Sequence, residues 1–300
     1  MTMTFRIIDA HTHTQFPEYD TDRDEVIRRA LDAGIGMVNV GTDAEMSRKA
    51  VELAHRYEEG VWATIGIHPT DAQIYADDTQ MNADIKKLEL LALDKKVVGI
   101  GECGLDYFRL ENLHEADPRR KQKELFTAQI ELAHRVGKPL VLHVRPSAGS
   151  TDAFEDVLDI LNNHKELLTR KNPGIPGISS SAQSCGFQPK AEDADVVLPG
   201  ICHFFTGTKE IAEKFLDLNF SFTFGGLITY NREFDEVLEC ISADHLLVET
   251  DAPFVAPKSH RGHRNEPAYV AEVAEFLGDF KKIPQKMFLE NTKHVFKLLL

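Results

Sequence analysis

The stretch Ile7-Ile8-Asp9-Ala10-His11-Thr12-His13 is a short apolar run that ends in side chains able to bind a metal ion. Four later runs of similar composition lead to Glu102, His143, His203 and Asp251. Each run has the length and composition of a buried parallel strand. A (β/α)8 barrel builds its active site from side chains at the carboxyl ends of such strands, so the sequence predicts that fold.

The rest of the chain alternates between strand-like and helix-like segments. We expect strands at residues 5–10, 36–40, 62–67, 97–101, 139–142, 200–203, 220–224 and 245–249. We expect helices at residues 23–33, 44–58, 81–93, 118–136, 151–168, 209–216, 234–241 and 266–277, with a further helix near the C-terminus. Eight such units close a parallel sheet into a barrel. The sequence thus predicts one barrel domain over residues 1–300, with a C-terminal helical extension.

An insertion at residues 171–190, rich in Gly, Pro and Ser, separates two of these units. A surface loop is the simpler interpretation, and a lid over the site is the alternative, because the insertion follows the catalytic face of the barrel.

The charge of the chain limits how it could bind nucleic acid. A formal net charge of −14, from 34 basic and 48 acidic residues, disfavours a protein that coats long nucleic acid. It is compatible with an enzyme that contacts a few phosphates locally. The four cysteines show no CxxC pairing and are expected to be free thiols in a reducing compartment. With no membrane span or secretory signal evident, we expect a cytoplasmic protein, or a nuclear one if the source is a eukaryote.

The histidines and Glu102 have the spacing of a centre for two ions. His11 and His13 are two residues apart on a strand, so both face the same way and can bind one ion. His143 and His203 end later strands and would supply a second ion. Glu102 would lie between the two groups, where a carboxylate can bridge cations about 4 Å apart.

Asp251 follows the eighth strand, which lies beside the first. It would complete the site around His11 and His13 and act as the general base towards an attacking water. Taken singly, each of these side chains has a plainer interpretation, such as a hydrogen-bonded strand-end residue or, for Asp251, a turn residue before Pro253. Their common position after apolar runs favours the metal centre.

Glycines around Glu102 match the pattern G-x-G-x-x-G from Gly99 to Gly104. A dinucleotide site would need a helix to begin at the third glycine, whereas the next helix is expected near Pro118. We therefore expect these glycines to let the backbone approach the metals.

Several longer motifs accompany the candidate ligands. They are Asp9-Ala10-His11-Thr12-His13, Gly66-Ile67-His68-Pro69, Gly101-Glu102-Cys103-Gly104-Leu105-Asp106-Tyr107, His203-Phe204-Phe205-Thr206-Gly207, Glu249-Thr250-Asp251-Ala252-Pro253 and Arg264-Asn265-Glu266-Pro267. In these motifs the chain resembles the TatD-type metal-dependent DNases of the amidohydrolase superfamily, nearly end to end. The resemblance implies a (β/α)8 barrel, divalent metal ions, DNA hydrolysis that often starts from a 3′ end, and the ligand roles given above. The chain departs from the family at Pro146 and in the length of the 171–190 insertion.

Side chains on the loops beyond the strands are candidates for substrate binding. Arg145 offers a planar fork for a phosphate, and Tyr107 with Phe108 could stack on an unpaired base. His68 is interpreted as a phosphate or leaving-group donor, or as a structural histidine. The remaining loop candidates are Arg264, Arg109, Arg261 and His263, of which Arg109 and Arg261 are more simply solvated charges. Asn265 is expected to cap the last barrel helix.

The leading hypothesis is a deoxyribonuclease that uses two divalent metal ions and an activated water as a 3′-5′ exonuclease on single-stranded DNA ends. The mixed imidazole and carboxylate ligands suit Zn²⁺ and Mn²⁺, and suit Mg²⁺ less well. No obligate protein partner is evident. Alternatives are an amidohydrolase or lactonase acting on a small molecule, an esterase acting on aminoacyl-tRNA, and a non-catalytic protein that binds DNA ends.

Overall fold

Eight parallel strands hydrogen-bond in chain order, which confirms the predicted barrel. The computed structural model describes residues 4–75, 77–110, 117–168 and 199–298, so the expected insertion at 171–190 lies outside the described residues. The strands are Ile7–Thr12 (β1), Ile35–Val40 (β2), Val61–Ile65 (β3), Val97–Asp106 (β4), Leu140–Arg145 (β5), Gly200–Cys202 (β6), Phe220–Phe224 (β7) and Leu246–Val248 (β8). Backbone bonds join β1 to the chain after β8, from His13 N to Ala252 O at 2.8 Å and from Asp251 N to His11 O at 2.9 Å.

Helices follow the strands, as the alternating pattern predicts. They are Arg23–Asp32 (α1), Ala44–His55 (α2), Asp78–Leu91 (α3), Pro118–Val136 (α4), Asp152–Asn163 (α5), Lys165–Leu168 (α6), Lys209–Asp217 (α7), Asp235–Cys240 (α8), Val270–Lys281 (α9) and Lys286–Phe296 (α10). The segment expected at 151–168 is divided into α5 and α6. The helix expected from residue 266 begins at Val270, because Pro267–Tyr269 forms a 3-10 turn first. The C-terminal helical extension is α10.

Strand β4 is longer than the expected 97–101 and continues through Glu102 to Asp106. Gly101 has φ +146° and Gly104 has φ +135°, a region that favours glycine. A Cβ at Gly101 would overlap the Val141 carbonyl oxygen of β5, and one at Gly104 would overlap the His143 oxygen. These glycines let β4 lie close to β5, and their expected role in letting the backbone approach metals stays a prediction. The long strand brings Glu102 and Asp106 to the same end of the barrel.

The barrel core is apolar on both faces of its strands. Every residue of β1, β2 and β4 is buried, as expected when helices cover the outside of a parallel sheet. Within the described residues, we find no helix with the length and hydropathy that crossing a membrane requires. Cys103, Cys202 and Cys240 are free thiols, as expected, while Cys185 lies outside the described part of the chain.

Candidate metal centre

The first group of candidate ligands surrounds the two histidines of β1. The Nε2 atoms of His11 and His13 lie 3.1 Å apart. Asp251 Oδ1 is 3.7 Å from the first and 3.4 Å from the second. Glu102 Oε2 is 3.6 and 3.7 Å from the same two nitrogens. Four potential ligand atoms from β1, β4 and the end of β8 thus converge on one point.

The second group surrounds the other oxygen of the same glutamate. Glu102 Oε1 is 2.7 Å from His143 Nδ1 and 3.0 Å from His203 Nε2. His68 Nε2 is 3.6 Å from this oxygen, so the structure places a third imidazole in the group. All six residues expected as ligands are therefore brought together, and Glu102 lies between the two groups as the sequence predicts.

The donor atoms fit divalent ions. Neighbouring imidazole nitrogens 3.1 Å apart share at most one hydrogen, whereas a cation between them would satisfy both lone pairs. Imidazole and carboxylate donors at this density are the ligand chemistry of Zn²⁺ and Mn²⁺.

Electrostatics in the centre favour the ionised form of Glu102 and the neutral forms of His11 and His68. Burial raises the pKa of Glu102, but His203 and His68 outweigh it and hold this pKa well below its usual value. Burial, followed by the nearby charge of His203, lowers the pKa of His11. Burial and His143 lower the pKa of His68 to about 3. A neutral His68 ring fits a metal ligand or an N–H donor, and not a cationic phosphate contact. For three other imidazoles burial lowers the pKa, but neighbouring carboxylates outweigh burial and raise it: His13, His143 and His203.

Buried carboxylates that the sequence analysis did not single out support the candidate ligands. Asp106 Oδ2 is 3.1 Å from His143 Nε2, on the side of the ring opposite Glu102. Glu249 Oε1 is 3.5 Å from His203 Nδ1 and accepts a bond from Phe204 N at 2.8 Å. Such carboxylates fix the orientation of a ligand imidazole. The signal for Asp106 was available, because residues four apart on a strand face the same side.

Asp9 ties the first strand to the last. Its carboxylate accepts bonds from Thr250 N at 2.9 Å, from Thr250 Oγ1 at 2.5 Å and from His11 N at 3.3 Å. Burial raises the pKa of Asp9 well above its usual value. Asp9 therefore joins β1 to the segment that carries Asp251, which keeps the ligands of the first group together.

A cavity of about 750 Å³ opens above the centre at the carboxyl ends of the strands. Its lining includes Glu102, His143, His203 and Asp251 from the centre. Arg145 also lines it, at the end of β5, with its guanidinium carbon 4.0 Å above the ring of Phe108. Arg145 is thus in reach of a substrate that enters this cavity.

Other expected substrate contacts lie elsewhere. Tyr107 is only 1% exposed and its hydroxyl donates to Asp156 Oδ2 at 2.7 Å, so the expectation that its ring stacks on a base is wrong. Arg264 is also not placed as expected. Its guanidinium forms two bonds with the Asp22 carboxylate and lies over the Tyr19 ring, which commits it to the protein itself.

The remaining loop candidates have mainly structural surroundings. Arg109 donates to Asp106 Oδ2 at 2.9 Å, although it also lines the cavity. Arg261 lies over the Tyr230 ring. Asn265 is not a helix cap: its side-chain amide donates to the backbone oxygens of the segment after β8.

Comparison with known proteins identifies the family. The profile of the family described as TatD related DNase matches residues 8–300. The chain belongs to this family. It is 35% identical over 299 residues to the uncharacterized metal-dependent hydrolase YabD of Bacillus subtilis strain 168, covering 97% of this chain and 99% of that protein. The chain is accordingly a metal-dependent hydrolase with an amidohydrolase-like barrel.

Two further members of the TatD family are similar to this chain. The chain is 34% identical to the 3′-5′ ssDNA/RNA exonuclease TatD of Erwinia billingiae, over 90% of this chain and 88% of that protein. The crystal structure of YJJV, a TatD homolog from Escherichia coli K12, superposes with a TM-score of 0.76 at 26% identity and covers 98% of this chain and 99% of that one.

Proposed function

We propose that this protein is a 3′-5′ exonuclease that hydrolyses phosphodiester bonds at single-stranded DNA ends. The observation that carries the proposal is that Glu102 directs one carboxylate oxygen to His11 and His13 and the other to His143 and His203. The similarity to the 3′-5′ ssDNA/RNA exonuclease TatD of Erwinia billingiae supports the choice of substrate.

Two ions would occupy this arrangement. His11, His13 and Asp251 would hold one, and His143 and His203, with His68 close by, would hold the other. When bound, divalent ions polarise a phosphodiester and make water more acidic. Glu102 keeps the two groups of ligands in fixed relation.

Asp251 is the candidate general base. It is ionised at neutral pH: burial raises its pKa, but the hydrogen bond from His13 and the charge of His203 outweigh burial and lower it. Its side chain also reaches the cavity, unlike that of His11, which is fully buried. Asp251 therefore accepts the proton of the water whose oxygen attacks phosphorus. The bond to the leaving oxygen breaks on the opposite side, and that oxygen is protonated from solvent.

Arg145 holds the phosphate from the rim of the cavity. Its planar guanidinium matches two phosphate oxygens, and its contact with Phe108 restricts its orientation. His68 lines the same cavity and can donate an N–H bond to a phosphate oxygen or bind the second ion. The acidic chain thus needs only a local contact to bind its substrate.

Hydrolysis of a 5′-labelled single-stranded DNA oligonucleotide tests this proposal. It is assayed with Mg²⁺, Mn²⁺ or Zn²⁺, with a chelated control, and in parallel on an RNA of the same sequence. We expect a metal-dependent ladder that shortens from the 3′ end. His143→Ala should lower kcat/KM by at least about a hundredfold, because loss of even an outer partner of a ligand costs 10–100-fold.

Two further variants control the assay. Asp251→Asn should keep bound metal but lose turnover, because the amide retains an oxygen ligand but cannot accept the proton. His55→Ala removes a histidine that pairs with Asp94 on the surface and should leave activity unchanged. Absence of cleavage of both nucleic acids by metal-loaded enzyme would refute the proposal and favour a small-molecule or aminoacyl ester. Early release of labelled mononucleotide would refute the polarity.

A further inference from the structure

An aromatic side chain that the proposed chemistry does not use projects into the mouth of the barrel. Phe254, three residues after Asp251, is 46% exposed, and the adjacent Val255 is 37% exposed. Both line the cavity above the metal centre. The Phe254 ring meets Phe16 edge-on at 6.4 Å and His13 at 6.3 Å. Adjoining exposed apolar side chains at a functional cavity indicate a binding surface.

The backbone holds this surface in a fixed and costly conformation. Val255 has φ +40°, in a region that a β-branched residue rarely adopts, and Asp251 has φ +54°. The Asn265 side-chain amide donates to Phe254 O at 2.7 Å and to Val255 O at 3.3 Å. Strain of this kind persists where the surroundings fix it, and it is concentrated at ligand sites.

The second aromatic ring of this wall, Phe16, is already partnered on one face. It stacks on the imidazole of His13, with centroids 4.5 Å apart and an angle of 16°. Phe16 therefore packs against the ring of Phe254 and covers the candidate ligand His13. Phe254 makes only edge-on ring contacts among the described residues and is exposed to the cavity, so it can receive a planar group.

The opposite wall of the mouth has a different chemistry. In the strand order, β8 and β1 lie across the barrel from β4 and β5. Arg145 ends β5 and Phe108 follows β4, and the guanidinium of Arg145 suits a phosphate. A nucleotide placed across the centre would thus have a cation on one side and Phe254 on the other.

Charge decides which part of the nucleotide belongs beside Phe254. Glu18 and Asp43 line the cavity on the loops after β1 and β2, the strands nearest the aromatic wall. These carboxylates repel a phosphate but tolerate an uncharged base. The terminal base suits the aromatic side, and the backbone phosphates suit the Arg145 side.

We propose that Phe254, backed by Phe16, is the stacking platform for the 3′-terminal nucleobase of the substrate. This inference rests on the proposed exonuclease function and adds a specificity-determining residue to it. Stacking accepts every base, because each has an aromatic face, so the platform gives little sequence preference. It does require an unpaired base, which makes a frayed or single-stranded end the preferred substrate.

Phe254→Ala tests the platform on two DNA oligonucleotides that differ only at the 3′ end, one with a normal nucleotide and one with an abasic tetrahydrofuran residue. Loss of base stacking should raise KM for the normal end by roughly 5- to 150-fold. The abasic end, which has no base to lose, should show the same kinetics in both enzymes. Phe254→Trp should restore the KM for the normal end.

Two measurements separate this test from loss of folding and from failure of the proposed function. Metal content of Phe254→Ala should equal that of the unchanged protein. Leu93→Ala, which truncates an exposed apolar side chain at the opposite end of β4, should change neither KM. An unchanged protein that cleaves neither oligonucleotide refutes the nuclease proposal. If the unchanged protein cleaves the normal end and Phe254→Ala does so with the same KM, the stacking platform is refuted and the nuclease proposal stands.

Discussion

Among single residues, Glu102 connects the most parts of the centre. Its Oε2 faces the histidines of β1, and its Oε1 lies 2.7 Å from His143 and 3.0 Å from His203. The position follows from the backbone, because Gly101 lets β4 lie against β5 where a side chain would overlap Val141. A carboxylate held in this way is placed to bridge two cations.

Asp106 is expected to act through His143 as a positioning residue. Asp106→Asn removes the charge that faces His143 Nε2 at 3.1 Å while keeping the shape of the side chain. We expect the affinity for the metal to fall about 10–100-fold, as for other outer partners of ligand histidines. Equilibrium dialysis against graded Zn²⁺ measures this directly.

A matched substitution distinguishes positioning from a general loss of negative charge. Asp156→Asn removes the charge that faces the Tyr107 hydroxyl, away from the candidate ligands, and should leave metal affinity unchanged. If Asp106→Asn binds Zn²⁺ as tightly as the unchanged protein, Asp106 has no positioning role.

The sequence predicted two substrate contacts wrongly because the side chains pair with residues far away in the chain. Tyr107 and Arg264 were expected to reach substrate from their place in loops of the catalytic side. Their partners, Asp156 and Asp22, are 49 and 242 residues away along the chain. Spacing and residue type reveal no such long-range pairs, and a buried tyrosine or paired arginine therefore looks like a free one.

At the scale of strands and helices, the short apolar runs were sufficient to predict all eight strands. Parallel strands buried on both faces leave continuous apolar runs in the sequence, and side chains at their carboxyl ends meet at one end of the sheet. The six candidate ligands could be grouped on this basis alone. The extent of β4 could not, because Glu102 and Asp106 break the apolar pattern in a part of the strand that faces the cavity.

The register of β4 against β5 should depend on the glycine before Glu102. Gly101→Ala combines a φ of +146° with an overlap of its Cβ with Val141, and should lower the free energy of unfolding by at least about 2 kcal/mol. Chemical denaturation measures the change. Gly149→Ala is the control: it has φ +71° and no atom within 4 Å of its Cβ, so it should cost about 1 kcal/mol or less. Equal costs for the two variants would contradict the role given to this close approach.

At the scale of the whole molecule, the net charge and the position of the cavity both favour binding of a nucleic-acid end. A net charge of −14 disfavours binding of long nucleic acid through the overall field, while Arg145 and Arg109 place positive charge at the cavity. A chain end that reaches into the cavity meets this requirement better than a duplex lying across the surface. The proposed exonuclease is thus consistent with an acidic protein.

The central claim is that six residues hold two ions with Glu102 between them. Anomalous diffraction from crystals of the protein loaded with Mn²⁺ or Zn²⁺ tests it most directly. We predict two peaks about 4 Å apart, one beside His11, His13 and Asp251 and the other beside His143 and His203, with one Glu102 oxygen on each. A single peak, or a Glu102 carboxylate that contacts neither ion, would contradict the claim.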